Sequence, residues 1–222
     1  PGLVEFRHAP PFNRIRFLSI FATVFLLSAI MRGQTDPTTM TQLLGAIGAL
    51  LAQTMDMPFS PVRLITLMLP PDSAPDHVAL VRTAAGISYL ISLLSLALFV
   101  LILRFGGWPH RGAVFNVWVN LPTFDPTVGG DVVRRLDRDA RINVALGVLL
   151  PFLIPAMVKA AATSFGQVDL TDPQVMIWTM AAWAFLPASL FMRGIAMWRI
   201  ADMIREKRRQ AENGTDPEFV PA

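Results

Sequence analysis

The chain has 222 residues, 53% of them hydrophobic and 16% charged, with a mean hydropathy of +0.49, too apolar for an ordinary soluble domain. It contains no cysteine, which excludes disulfides, thiolate metal sites, Fe–S clusters and cysteine nucleophiles. The formal charge is +3, and its positive part is 17 Arg with only two Lys, Lys159 and Lys207.

Four stretches, 17–31, 84–103, 142–158 and 175–192, carry no charged residue and no histidine. They are apolar all round, whereas a helix facing water on one side would carry a polar stripe, so lipid or a protein-lined bilayer site is required. The first span is expected over about 15–31, with Arg14, Arg16 and Arg32 at its ends; their long stems let the guanidinium groups reach the interfaces. Arg32, Gly33 and Gln34 follow it rather than a small-residue cleavage pattern, so it does not read as a signal peptide.

Residues 33–79 are expected to form an outer-face segment. Within it Asp36 and Pro37 suit the N-cap and first position of a helix. In that helix Met40, Leu43, Leu44, Ile47, Leu50 and Leu51 make an apolar stripe, and Thr41, Gly45, Gly48 and Ala52 a small-residue face. It is expected to be amphipathic on the outer membrane surface, or re-entrant. The competing reading, a fifth span over 37–55, would put the C-terminal tail and the 104–141 loop outside, against the charge distribution below. Pro58, Pro61, Pro70, Pro71 and Pro75 exclude a long helix over 56–76, and the short apolar stretch 62–69 tucks against the membrane face or a partner.

The second span is expected over about 81–103, ended by Arg104 and Gly106-Gly107. A loop, 104–141, follows; it holds the distinctive stretch from Trp118 to Pro126, and its end over 131–139 reads as helix running into a third span over about 142–163. The fourth span covers about 174–198. Trp178 and Trp198 lie 20 residues apart within it, ~30 Å along a helix, so the two indoles match the two interfaces. Beyond Trp198 the helix continues as a polar segment with Asp202–Arg205 and Glu206–Arg209 spaced for ion pairs and Asn213-Gly214 as a stop. Residues 213–222 read as a flexible tail with the composition of a cloning remnant. No internal repeat is evident, and 1–212 read as one domain.

Orientation follows from the basic residues. With four spans, one side holds fifteen bases against ten acids, for +5, and the other four bases (Arg32, Arg63, Arg82, Lys159) against six acids, for −2. The positive-inside rule places both termini and the 104–141 loop in the cytoplasm. The fold class expected is therefore an all-α polytopic membrane protein with four transmembrane helices. The arginine bias indicates a GC-rich genome, and with it a bacterial inner membrane.

The chemistry is sparse. His8, His77 and His110 all fall outside the spans, which does not support a haem held between helices, and no ligand spacing marks a metal site; no cofactor is expected. No acidic residue interrupts a span, against the usual pattern of proton-coupled transporters. Lys159 and Arg193 lie about a turn inside opposite ends, where snorkelling accounts for them; the sharper alternative is contact with an anionic lipid, a quinone or an acidic partner residue. Pro151, Pro155 and Pro187 each remove a helical hydrogen bond and are expected to kink the last two spans. Gly147, Ala181, Ala184, Ala188 and Gly194 offer smooth surfaces for close helix packing. Arg134, Arg135, Arg138 and Arg141, interleaved with Asp137 and Asp139, suit a juxtamembrane helix touching anionic headgroups. The positive residues line a membrane rather than a free face, so nucleic acid is not an expected partner.

Together these features lead to a non-catalytic integral membrane subunit, a scaffold, assembly or accessory component of a larger complex, with lipid headgroups and other membrane subunits or further copies of the chain as partners. The alternative is a transport or channel component with a pore at the kinked third and fourth helices. A weaker one is a lipid-modifying enzyme using Asp125, Asp137 and Asp139.

Overall fold

A computed structural model describes residues 11–105 and 131–214. His8, His110, Asp125, the stretch from Trp118 to Pro126 and the tail beyond 214 lie outside these residues. The elements of the described residues are all helices: α1 (Pro11–Thr35), α2 (Thr39–Thr54), a short α3 (Pro61–Leu64) continued by a 3-10 turn (Ile65–Met68), α4 (Pro75–Phe105), α5 (Val132–Phe165) and α6 (Pro173–Gly214). Four of these, α1, α4, α5 and α6, are long and apolar enough to cross a membrane, the mark of an integral membrane protein.

Local chemistry sets the helix ends. α2 starts later than Asp36-Pro37 implies. Thr38 is its N-cap: the Thr38 hydroxyl accepts from the Thr41 N–H, and the Thr41 hydroxyl accepts from the Thr38 N–H at 2.8 Å. This reciprocal pair satisfies two orphan donors at once. Asp36 is engaged elsewhere, in an ion pair with Arg32 one turn back, at 3.1 Å. α4 begins at Pro75, ahead of residue 81, because proline at the first helical position lacks only an N–H that would have no partner, and Asp76 suits the positive end of the dipole. Asp131 caps α5 by accepting from the Val133 N–H, and the helix expected over 131–139 forms the opening turns of α5. α5 stops at Gly166, whose φ of +85° an L side chain would resist.

α6 is the central helix. α1, α4 and α5 all pack on it, and α1 packs on α4 as well. α5 is the outlying member: along its length it meets α6, and near its far end it meets α3 and the 3-10 turn. α2 lies over α1 and α4 on its small-residue face. Gly48 abuts Thr83 and Ile87, Ala52 meets Gly86, and Gly33 of α1 takes Thr41. The α2 stripe of Met40, Leu43, Ile47 and Leu50 is left exposed.

Two glycines let α5 and α6 come together. A Cβ on Gly147 would lie 2.9 Å from the Pro187 carbonyl oxygen and 2.8 Å from Phe191 Cβ. One on Gly194 would lie 2.8 Å from the Ala140 carbonyl oxygen. At each glycine the obstructing atoms include backbone, which cannot swing aside. In a bilayer, where lipid tails are as apolar as leucine side chains, such close contact is what favours helix association. Beyond the apolar core the same pair is joined by ion pairs from Arg205 to Asp137 and from Arg208 to Asp131, the latter at 3.0 Å.

Replacing Gly194 with Leu is expected to lower stability by about 1–3 kcal/mol through overpacking, read as the midpoint of unfolding in mixed detergent micelles. Gly45→Ala, where a Cβ meets nothing within 4 Å, should be neutral or stabilising by up to ~1 kcal/mol; equal losses at both glycines would contradict the packing. A pH dependence follows from Asp131. Partial burial alone would raise its carboxyl, but hydrogen bonds from Arg208 and the Val133 N–H outweigh that and hold it below the usual range. The stabilisation is thus complete above the unfolded value of about 3.9 and is lost as pH falls through the lower folded value. Asp131→Asn should remove part of the acid-side loss in the same unfolding assay.

Candidate functional site

Because α5 stands off on α6, α4 and α5 barely touch, and a groove of about 240 Å³ opens between them with α6 as its floor. Tyr89 and Ser92 come from α4, Gly147 and Pro151 from α5, and Pro187 and Phe191 from α6. It lies between helices in the membrane-spanning part of the bundle, a common location for small-molecule sites.

The prolines shape its floor and wall. An α-helical N–H bonds the carbonyl four residues back, and Pro155 has no N–H to give the Pro151 carbonyl. That carbonyl instead accepts from the buried Trp183 indole N–H at 3.0 Å. The unmade bond of one helix becomes a cross-link to the next. Trp183 is held from its other side by Tyr89, the two rings stacked at 5.8 Å. Gly147 then seats α5 directly on the Pro187 turn. The prolines therefore sit at a fixed seam of the bundle.

One polar atom in this region stands apart. Ser88 and Ser95 of α4 donate to the carbonyls of Ala84 and Ile91, at 2.8 and 2.7 Å. Ser92, between them and only 3% exposed, has a buried hydroxyl with no hydrogen-bond partner among the described residues. It lines the groove.

The sequence-derived candidates fall in several places. Ala181 and Ala184 are buried in the bundle, Ala188 is half-buried on the groove floor, and Gly147 and Gly194 mark the α5–α6 seam. Pro151, Pro155 and Pro187 are all buried inside helices. Arg193 is half-buried midway along α6, toward the far end of the expected span 174–198 from Trp178, and its Nε is buried without a hydrogen-bond partner among the described residues. Arg16 of α1 comes to the same level, with its guanidinium 5.7 Å from the Phe185 ring centre. Lys159 is exposed on α5. Arg134, Arg138 and Arg141 are exposed and Arg135 is half-buried. Arg138 pairs with Asp139 at 3.1 Å, and Arg141 Nε donates to the Asp137 carbonyl oxygen. Asp137 and Asp139, proposed above as acids for lipid chemistry, are thus both engaged in ion pairs.

A second concavity, about 400 Å³, lies at the other end of the bundle between the 69–74 turn, His77 and the 167–171 loop. There the Asp169 carboxylate accepts from the Thr171 hydroxyl at 2.5 Å and from the Thr171 N–H at 2.9 Å, and these bonds hold its carboxyl below the usual range. Among the described residues no three His, Asp or Glu side chains converge as a metal-ligand set.

Comparison with protein-family models, curated proteins and solved structures finds no match, so function is argued from these residues.

Sequence reasoning missed Ser92 and the Trp183–Pro151 bond. The three serines at 88, 92 and 95 were visible, but which one lacks a carbonyl partner depends on the helix around it.

Trp183→Phe is expected to cost about 1–3 kcal/mol for the buried carbonyl left unpaired, in addition to the lost indole volume. Pro155→Ala returns an N–H to that carbonyl, so the same Trp183→Phe change should cost clearly less in the Pro155→Ala background. Additive losses in this double-mutant cycle would show that the indole bond carries no stability.

Proposed function

We propose that the chain is a non-catalytic subunit of a larger complex in a bacterial inner membrane, acting as a scaffold, assembly or accessory component. The observation that carries this reading is the length of α5 and α6, whose joined ends extend past the apolar spans. At 34 and 42 residues these helices are ~51 and ~63 Å long, well beyond a ~30 Å hydrocarbon core. The excess is joined crosswise by Arg205–Asp137 and Arg208–Asp131. It presents exposed Arg134, Arg138, Arg141, Lys207 and Arg209 where anionic headgroups or an acidic partner surface would meet them. A rigid, basic helix pair is better suited to docking than to turnover. A pore along the α5–α6 seam draws no support, because Gly147 and Gly194 bring the two backbones into contact there.

In this reading both termini are cytoplasmic, and α2 lies in the outer leaflet with its exposed Met40, Leu43, Ile47 and Leu50 stripe in lipid. The cysteine-free sequence makes the orientation directly testable. A single Gln167→Cys should react with a membrane-impermeant maleimide in intact spheroplasts, and Gln210→Cys only after lysis. Reaction of both from one side would overturn the orientation.

The subunit reading is tested on the native particle. Membranes solubilised in a mild detergent, or extracted directly into polymer nanodiscs, should yield the chain in a species well above 24.5 kDa plus its lipid belt, with defined co-purifying chains. A stable lone monomer by both extractions would sink the proposal.

A further inference from the structure

The groove between α4 and α5 has a chemistry that the subunit reading does not use. None of its lining side chains is charged, so a ligand there is uncharged. The lining is apolar and partly aromatic, with Tyr89, Phe152 and Phe191 on its three walls. Three polar groups interrupt it. The Ser92 hydroxyl is buried and has no hydrogen-bond partner among the described residues, although serines one turn to either side satisfy theirs on α4 carbonyls. Tyr89 lies three residues from Ser92, hence on the same face of α4. The Gly147 carbonyl has lost its usual helical donor, because that donor would be the N–H of Pro151. A cavity of ~150 Å³ takes up benzene, so about 240 Å³ holds one substituted six-membered ring.

We propose that this groove binds the ring of an uncharged, membrane-soluble carbonyl compound of the quinone type, with the hydroxyls of Ser92 and Tyr89 donating to a ring oxygen. A lipid acyl chain could fill the same space but would leave the Ser92 hydroxyl unpaired in an anhydrous site, which is costly. A ring carbonyl removes that cost, and the flat ring lies against the aromatic walls. The attached apolar tail runs out between α4 and α5 along exposed Leu93, Leu94 and Leu149. Only binding is proposed; no electron transfer is involved. The site is complete within one chain, so it stands whether or not the chain has protein partners.

The test uses the full chain in phosphatidylcholine nanodiscs with decylubiquinone as the probe, measuring uptake above that of empty discs. Saturable binding of one equivalent per chain is expected. Ser92→Ala should weaken it about five-fold, the worth of one hydrogen bond. Val148→Trp, from an exposed lining position, should abolish the saturable component, and Leu98→Trp, exposed outside the groove, should leave it unchanged. If Val148→Trp lowers helix content by circular dichroism, Leu93→Trp blocks from the opposite wall. Uptake that rises linearly as in empty discs overturns the proposal, as does saturable binding indifferent to both blocking variants. So does a phospholipid retained through delipidation that the blocking variants release and decylubiquinone does not displace, since the occupant is then an acyl chain.

Discussion

The bilayer offers no water to a backbone polar group, and the most telling arrangement in this protein is a response to that constraint. Pro155 deprives a buried carbonyl of its helical donor, and Trp183, from the next helix, supplies one. The indole can reach across only because α5 and α6 lie in backbone contact, and that contact exists only because Gly147 and Gly194 present no side chain at the seam. Proline, glycine and tryptophan are therefore one device. Remove the glycines and the helices separate; remove the indole and a carbonyl is stranded.

The rest of the architecture follows from α5 being attached in this way. Held to α6 by a narrow seam, α5 cannot also close against α4, and the groove is what remains between them. The same seam, continued past the apolar region by ion pairs between Arg205 and Asp137 and between Arg208 and Asp131, turns two helix ends into one rigid extension. Rigidity at one end and an opening at mid-span thus share a cause. α2 solves a different problem with the same residue types: its glycine and alanine face lies against α4 and Leu44 and Leu51 pack beside it, which leaves Met40, Leu43, Ile47 and Leu50 for lipid or a partner.

Much of the fold was legible in the sequence. Long charge-free runs locate helices well, because the cost of burying a charge in hydrocarbon excludes charged residues from them. Helix ends were less legible. Asp36 and Pro37 are good capping residues, yet Thr38 with Thr41 makes a reciprocal cap and Arg32 takes the Asp36 carboxylate, a competition that residue preferences alone do not rank. The candidate site was legible in part. Gly147, Pro151 and Pro187 stand out by type, but Ser92 does not, because helical serines ordinarily bond their own helix and only the three-dimensional surroundings show which one fails to.

Hydrophobicity and the spacing of charges act along the chain, so the sequence by itself determined that there are four long apolar helices and which residues are small enough for close approach. Which helix stands at the centre, that α5 stands away from α4, and that an orphaned carbonyl meets an indole were decided only by tertiary structure. Lipid-facing and helix-facing positions look alike when every face of a helix is apolar. The choice between them rests on shape fitting among side chains far apart in sequence.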